Sequence, residues 1–113
     1  MTDHMAPAAQ QISGRIEVDR TGRWTSIDAG ACEVLGQVAG EALGFGWLTA
    51  VSGASRVETL EAWAERIGQG RASRLHLRLD GRGCADEVEI QIQPTFDRLG
   101  LVSGWIGLLK TAA

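Results

Sequence analysis

Hydrophobic residues recur at two different spacings along this chain, and the changes of spacing divide it into three parts. Residues 14–27 alternate apolar and polar side chains around a turn, which is typical of a β-hairpin. Residues 28–70 place apolar side chains three or four positions apart between glycines, which is typical of helices. Residues 73–109 return to alternation. The pattern predicts an α+β fold in which helices cover one face of a sheet.

The helical part is predicted to contain short helices before a longer one. Asp28 can begin the first, since its carboxylate can accept unpaired helix N–H groups, and Gly36 is expected to end it. Two shorter helical pieces follow within residues 37–54. The longest helix begins at residues 55–58, whose sequence Ser-Arg-Val-Glu is that of a capping box, and ends at Gly68. Its buried face is predicted to contain Val57, Leu60, Trp63 or Ala64, and Ile67.

A second hairpin is predicted around the turn at residues 80–83. Apolar side chains occupy every second position, at Leu75, Leu77, Leu79, Val88, Ile90 and Ile92. The polar positions between them carry Arg74, His76 and Arg78 on one strand and Glu87 and Glu89 on the other. We therefore expect one buried face and one face with favourable cross-strand ion pairs.

The last strand, residues 101–109, is predicted to be apolar on both faces and so to need cover on both. Leu101, Trp105 and Leu109 share one face, whereas Val102, Ile106 and Leu108 lie on or near the other. Because helices cover one face only, we expect Leu101, Trp105 and Leu109 to form an outer surface. Either an N-terminal arm at residues 1–12 or a second copy of the chain would cover it.

Size and charge narrow the class of protein. A chain of 113 residues and 12.1 kDa fits one domain. The net charge of −3 argues against a nucleic-acid partner, which needs a basic surface. No apolar run approaches the roughly 20 residues that cross a bilayer, so we expect no membrane partner and a cytoplasmic location. The domain is expected at residues 13–110, with a short tail at 111–113.

Four stretches of the sequence resemble the PAS domain, a sensory module, in their order and spacing. They are the opening hairpin from residue 14 to residue 19, the helix at 28–36 that begins Asp-Ala-Gly and ends Val-Leu-Gly, the segment at 40–44 followed by Trp47, and the Gly-Trp-Ile-Gly strand at 104–107. The resemblance covers residues 13–110. It implies a five-stranded antiparallel sheet with short helices and one longer helix on one face.

The resemblance also implies a function. PAS domains regulate an attached or associated effector, such as a histidine kinase, a cyclic-dinucleotide enzyme or a transcription regulator. We expect a sensory module of bacterial signal transduction that is not an enzyme, with a homodimer as its form. An acid–base enzyme would need a buried carboxylate in a pocket, and Asp28, the one candidate, is better explained as a helix cap.

The resemblance raises the question of a cofactor, because some PAS domains bind flavin or haem through particular residues. A flavin photosensor of the light-oxygen-voltage type has an Asn-Cys-Arg motif, which the sequence around Cys32 lacks. Haem-binding relatives use a histidine on the long helix, and residues 55–67 contain none. His76 alternates with buried leucines and is expected in solvent. Cys32 and Cys84 have no histidine or cysteine at metal-ligand spacing, so no haem, flavin or metal is expected.

Tryptophans leave two alternatives for the interior. They can fill the core of a protein with no tyrosine and two phenylalanines, or they can line a cavity for a small apolar ligand. The second alternative predicts a pocket formed by Trp24, Ile27, Leu35, Leu43, Trp47, Val51, Leu60, Trp63, Leu77, Ile90 and Ile106. The first predicts a ligand-free dimerisation or docking module.

Overall fold

The structure, a computed structural model, describes residues 10–112. Its strands are β1 (Gln10–Asp19), β2 (Trp24–Ile27), β3 (Ser73–Arg78), β4 (Glu87–Phe96) and β5 (Val102–Ala112). Its helices are α1 (Ala29–Leu35), α2 (Ala39–Ala42) and α3 (Arg56–Gln69), with 3₁₀ turns at Gly46–Ala50 and Gly53–Ser55. The predicted α+β class and five-stranded antiparallel sheet are confirmed.

The strands lie in the order β2-β1-β5-β4-β3, so that the last strand of the chain is the centre of the sheet. β1 pairs with β5 from Gln10 opposite Ala112 to Asp19 opposite Gly104. Residues 10–12, predicted as part of an N-terminal arm, therefore belong to the sheet, and so do residues 111–112. The rest of the predicted arm lies outside the described residues.

One face of the sheet packs against the helices and forms the core. Asp28 begins α1 as predicted, since its carboxylate accepts the N–H of Ala31 at 2.9 Å. The helices and the inner face of the sheet together bury a single apolar cluster. Its largest fully buried side chains are Trp24, Trp47, Trp63, Ile16, Leu35, Leu77, Ile90, Ile92 and Leu109.

The two faces of β5 are the reverse of the prediction. Trp105 and Leu109 are buried in the core, whereas Ile106 and Leu108 lie half-buried on the outer face. The register explains the difference, because Trp105 lies opposite Val18 and Leu109 opposite Ile90, and directly paired residues share a face. Leu101 precedes the strand and is exposed. The prediction that Trp105 and Leu109 form the outer surface is wrong.

Helix α3 also presents a different face from the one predicted. Thr59 and Trp63 are buried, whereas Val57 is 72% exposed and Leu60 41% exposed. The predicted capping box is absent, since the Ser55 side chain makes no cap hydrogen bond. Instead the Arg56 guanidinium holds the helix start by donating to backbone carbonyls of residues 48, 49 and 51.

Two turns with the sequence Asp-x-x-Gly have the same hydrogen bonds. The Asp19 carboxylate accepts the N–H groups of Thr21 and Arg23 at 2.9 and 3.0 Å. The Asp97 carboxylate accepts those of Leu99 and Leu101 at 2.8 and 3.0 Å. In both turns the glycine N–H donates to the aspartate carbonyl at 3.0 Å. The shared sequence therefore specifies a shared local structure.

The first of these turns makes folding stability depend on pH. Burial raises the pKa of Asp19. Hydrogen bonds from Thr21 and Arg23 and the charge of Arg23 lower it by more, so that the pKa lies below its ordinary value of 3.8. Its contribution to stability is complete above pH 3.8 and is lost as the pH falls through the folded-state value.

We expect Asp19→Asn to flatten the acid side of a plot of melting temperature against pH, because the variant lacks this carboxylate. Asp86→Asn, at an exposed carboxylate without a side-chain hydrogen bond among the described residues, is the control. An unchanged acid slope in Asp19→Asn would contradict this assignment.

Candidate functional site

Three tryptophans from three different elements meet in the core between the helices and the sheet. The rings of Trp24 and Trp47 stack with centroids 4.9 Å apart and planes 9° from parallel. Trp63 packs edge-on against Trp47 at 5.3 Å and lies 6.3 Å from Trp24. All three are at most 1% exposed. The three indole rings therefore pack directly against one another. We call these three residues the indole cluster.

Local backbone contacts position the indole cluster. Trp24 and Gly44 exchange both backbone hydrogen bonds, at 3.0 and 2.8 Å, which ties the start of β2 to the segment before Trp47. The Trp63 Nε1–H donates to the Gly22 carbonyl at 2.8 Å and so fastens α3 to the first turn. No spacing in the sequence shows either contact, because each joins distant segments.

The structure separates the eleven predicted pocket residues into three groups. Seven are buried in the core: Trp24, Leu35, Trp47, Val51, Trp63, Leu77 and Ile90. Ile27 is half-buried against it. Leu43, Leu60 and Ile106 are placed wrongly by the prediction. Leu43 is exposed where the chain leaves α2 towards Gly44, Leu60 is exposed because Thr59 and Trp63 face the core, and Ile106 lies on the outer face of β5.

The interior also contains buried polar atoms without a protein partner. Nε1 of Trp24 and Nε1 of Trp47 have no acceptor among the described residues. Gln37, which the sequence analysis did not single out, donates from Nε2 to Gly46 O at 3.1 Å and Thr49 Oγ1 at 2.8 Å. Its Oε1 has no donor in that same part of the chain. A buried polar atom without a hydrogen bond lowers the stability of a closed core. Each of these atoms could form one with a polar group of a small bound molecule.

The outer face of the sheet has an apolar centre with a charged border. Ile106 and Leu108 lie on its central strand, and Ile12 is exposed beside them on β1. A shallow groove of about 420 Å³ runs over this face. It is lined by Ala72, Ser73, Arg74, Gln91, Ile92, Gln93, Ile106 and Leu108. The described helices pack on the opposite side and leave this face uncovered.

Charges of both signs border this apolar centre on each side. On β1, Arg15 contacts Glu17 at 3.2 Å. Across β3 and β4, Arg74 contacts Glu89 at 3.7 Å and His76 contacts Glu87 at 2.9 Å. The hairpin pairing predicted from the sequence is thus present. A border with both charges can match a second copy of itself.

The two cysteines differ in their exposure to solvent. Cys32 is half-buried on α1 and Cys84 is exposed. Within residues 10–112, no three histidine, cysteine or carboxylate side chains lie together as metal ligands do.

None of the helices in the described part of the chain is long and apolar enough to cross a lipid bilayer.

Comparison with solved structures relates this architecture to known proteins. The chain superposes on the Rhodobacter sphaeroides LOV protein with a TM-score of 0.65 and 16% identity, covering 86% of this chain and 58% of that one. A domain of a proposed light and redox sensing histidine kinase from Haloarcula marismortui gives 0.64 and 11% identity, covering 96% and 93%. The PAS domain of the Cronobacter turicensis quorum-sensing receptor RpfR gives 0.55 and 12%, covering 90% and 95%.

The chain has the PAS fold. The resemblance found in the sequence is confirmed at this level, although neither a protein-family model nor a curated protein matches the chain. The RpfR domain was solved in complex with a C12:0 molecule. The present chain spans little more than half of the Rhodobacter sphaeroides protein. In this PAS fold, the indole cluster occupies the core between helices and sheet, and none of the described helices covers the outer face of the sheet.

Proposed function

We propose that this chain is a regulatory module of signal transduction that acts by pairing two copies across the outer faces of their sheets. The observation that carries the proposal is the half-buried pair Ile106 and Leu108 on the central strand of a face that no helix within residues 10–112 covers. Apolar side chains at the middle of a sheet face are stabilised when a second surface covers them.

The border of this face supports a partner of the same kind. Arg15 and Glu17 lie on one side of the apolar centre and Arg74 and Glu89 on the other. In a two-fold arrangement each copy contributes the same patch, so opposite charges can meet on both sides. Such pairing would transmit a change in one copy to an effector attached to both, such as a histidine kinase, a cyclic-dinucleotide enzyme or a transcription regulator.

The filled interior supports pairing rather than a bound cofactor as the basis of the function. Trp24, Trp47 and Trp63 contact one another where a ligand of the predicted pocket would lie. We therefore propose a module that works without haem, flavin or metal, and that is not an enzyme.

A glutamate at the centre of the outer face tests the proposal. We expect Leu108→Glu to weaken self-association at least about a hundredfold, because a two-fold interface contains the substitution twice. Val57→Glu is the matched control, since it places the same charge on the exposed side of α3. Sedimentation equilibrium measures both, and circular dichroism checks their folding. A wild-type monomer, or equal association of the two variants, would show that this face does not pair copies.

A second candidate function is the binding of a small, mostly apolar molecule beside the indole cluster. The unpartnered N–H groups of Trp24 and Trp47 favour it, since a carbonyl or carboxylate oxygen could accept from them. Such a ligand would have to separate the stacked rings. It would add its own mass to the folded protein in native mass spectrometry.

A further inference from the structure

Three connections of the fold meet at one end of the sheet. Gly104 lies opposite both Asp19 of β1 and Thr95 of β4, so the turns that follow these residues project from the same end. The loop between α3 and β3 reaches it as well, because a Cβ built on Gly70 would lie 4.0 Å from Cγ2 of Val102. We call residues 19–23, 69–72 and 97–101 the turn end.

The turn end is positive although the chain as a whole carries a net charge of −3. It contains four exposed arginines, which are Arg20, Arg23, Arg71 and Arg98. Among the described residues none of them makes an ion pair. The two carboxylates present, of Asp19 and Asp97, accept backbone N–H groups inside their own turns. Arg20, Arg71 and Arg98 are therefore available to an anionic surface, whereas the Arg23 guanidinium lies over the Phe45 ring, 5.6 Å from its centroid.

Apolar side chains project beside these charges. Leu99 is 83% exposed, Leu101 61% and Phe96 59%. The exposed positions of Leu99 and Leu101 are fixed by the turn, because the Asp97 carboxylate accepts both of their backbone N–H groups. A turn whose conformation is already fixed loses little conformational entropy when it binds to another surface.

We propose that the turn end docks on an anionic lipid surface, with Leu99 and its apolar neighbours entering the interface and the arginines contacting lipid phosphates. A projecting apex with cations around apolar side chains fits a planar interface that is anionic above and apolar below. The groove on the outer face of the sheet meets the turn end only at Ala72, and the groove beside α3 and β3 contains no residue of the turn end.

This surface was invisible in the sequence for a physical reason. The sequence predicts no membrane partner because no segment is long and apolar enough to span a bilayer. Along the chain Arg71 follows Arg20 by 51 positions and Arg98 follows Arg71 by 27, and only the register of the sheet places them at one end. Docking at the surface of a bilayer needs such a folded patch, not a spanning segment.

Vesicle flotation with the full chain tests the proposal. The probe is phosphatidylcholine vesicles with about 30% phosphatidylserine, compared with vesicles of phosphatidylcholine alone. We expect flotation with the anionic vesicles only, and weaker flotation at high salt. Arg98→Ser should lower the partition coefficient about fivefold. Leu99→Ser should lower it about tenfold.

Two exposed positions away from the turn end supply matched controls. Arg78→Ser removes an exposed arginine from β3, and Val38→Ser removes an exposed apolar side chain before α2. Both should float as the wild type does. The proposal is overturned if the wild type does not float, if neutral vesicles bind it equally, or if the controls fall as far as the variants. Binding to polyglutamate but not to vesicles would replace the lipid by an acidic protein partner and would also overturn it.

Discussion

Replacing Trp47 by alanine is expected to lower the free energy of unfolding by about 3–5 kcal/mol, because it opens a cavity that the surroundings fill only in part. Trp47 is fully buried and contacts both other members of the indole cluster. The loss is a large share of the roughly 5–15 kcal/mol that stabilises a typical domain. Urea denaturation followed by far-ultraviolet circular dichroism measures it.

The matched control is Phe96→Ala, which removes an aromatic ring that is mostly exposed. We expect that variant to lose less than about 1 kcal/mol. If the two variants lost equal stability, Trp47 would not be the centre of the core, and the closed interior on which the proposed function depends would be wrong.

Replacing Gly36 by alanine is expected to lower the free energy of unfolding by about 2–4 kcal/mol, from two separate costs. Gly36 ends α1 with φ at 71°, a conformation that alanine adopts only with strain. An added Cβ would also lie 2.5 Å from the carbonyl carbon of Arg82 and 2.6 Å from the nitrogen of Gly83. The clash is with backbone, so the loop between β3 and β4 must move.

Gly44 separates the two costs. Its φ is 67°, but an added Cβ would meet nothing within 4 Å. We therefore expect Gly44→Ala to lose only the conformational part, about 1–2 kcal/mol. Thermal denaturation of both variants measures the difference. Equal losses would mean that the loop moves aside freely and does not hold the end of α1.

Local features of the fold could be predicted from the sequence. The Asp-x-x-Gly turns at 19–22 and 97–100 were identifiable because an aspartate followed by a glycine satisfies its own turn. The hairpin of Leu75 and Ile90 was identifiable because its apolar and polar faces alternate strictly. In these cases neighbouring residues determine the structure.

Features that depend on distant contacts could not be predicted. Both faces of β5 are apolar, so only the pairing of Trp105 with Val18 shows which face is inside. On α3, Trp63 belongs to the predicted apolar stripe and is buried, but its buried neighbour is the polar Thr59 and not Val57 or Leu60. The packing of α3 against the rest of the fold, and not hydrophobic spacing alone, determines which side of the helix is buried.

The sequence predicted which residues of the candidate site are buried, but not how they pack against one another. Trp24, Trp47 and Trp63 were identified as interior residues, and all three are buried. That they stack on one another depends on the backbone bridge from Trp24 to Gly44, which no spacing shows. Leu108, at the centre of the outer face, was not selected because the prediction placed the other side of β5 outside.

Native mass spectrometry of the freshly purified chain reports the pairing of copies and the occupancy of the interior in one experiment. We expect an ion of twice 12.1 kDa with no added compound. A monomer at every concentration would contradict pairing across the outer face. A species carrying a retained small molecule would contradict the closed interior and favour ligand binding beside the indole cluster.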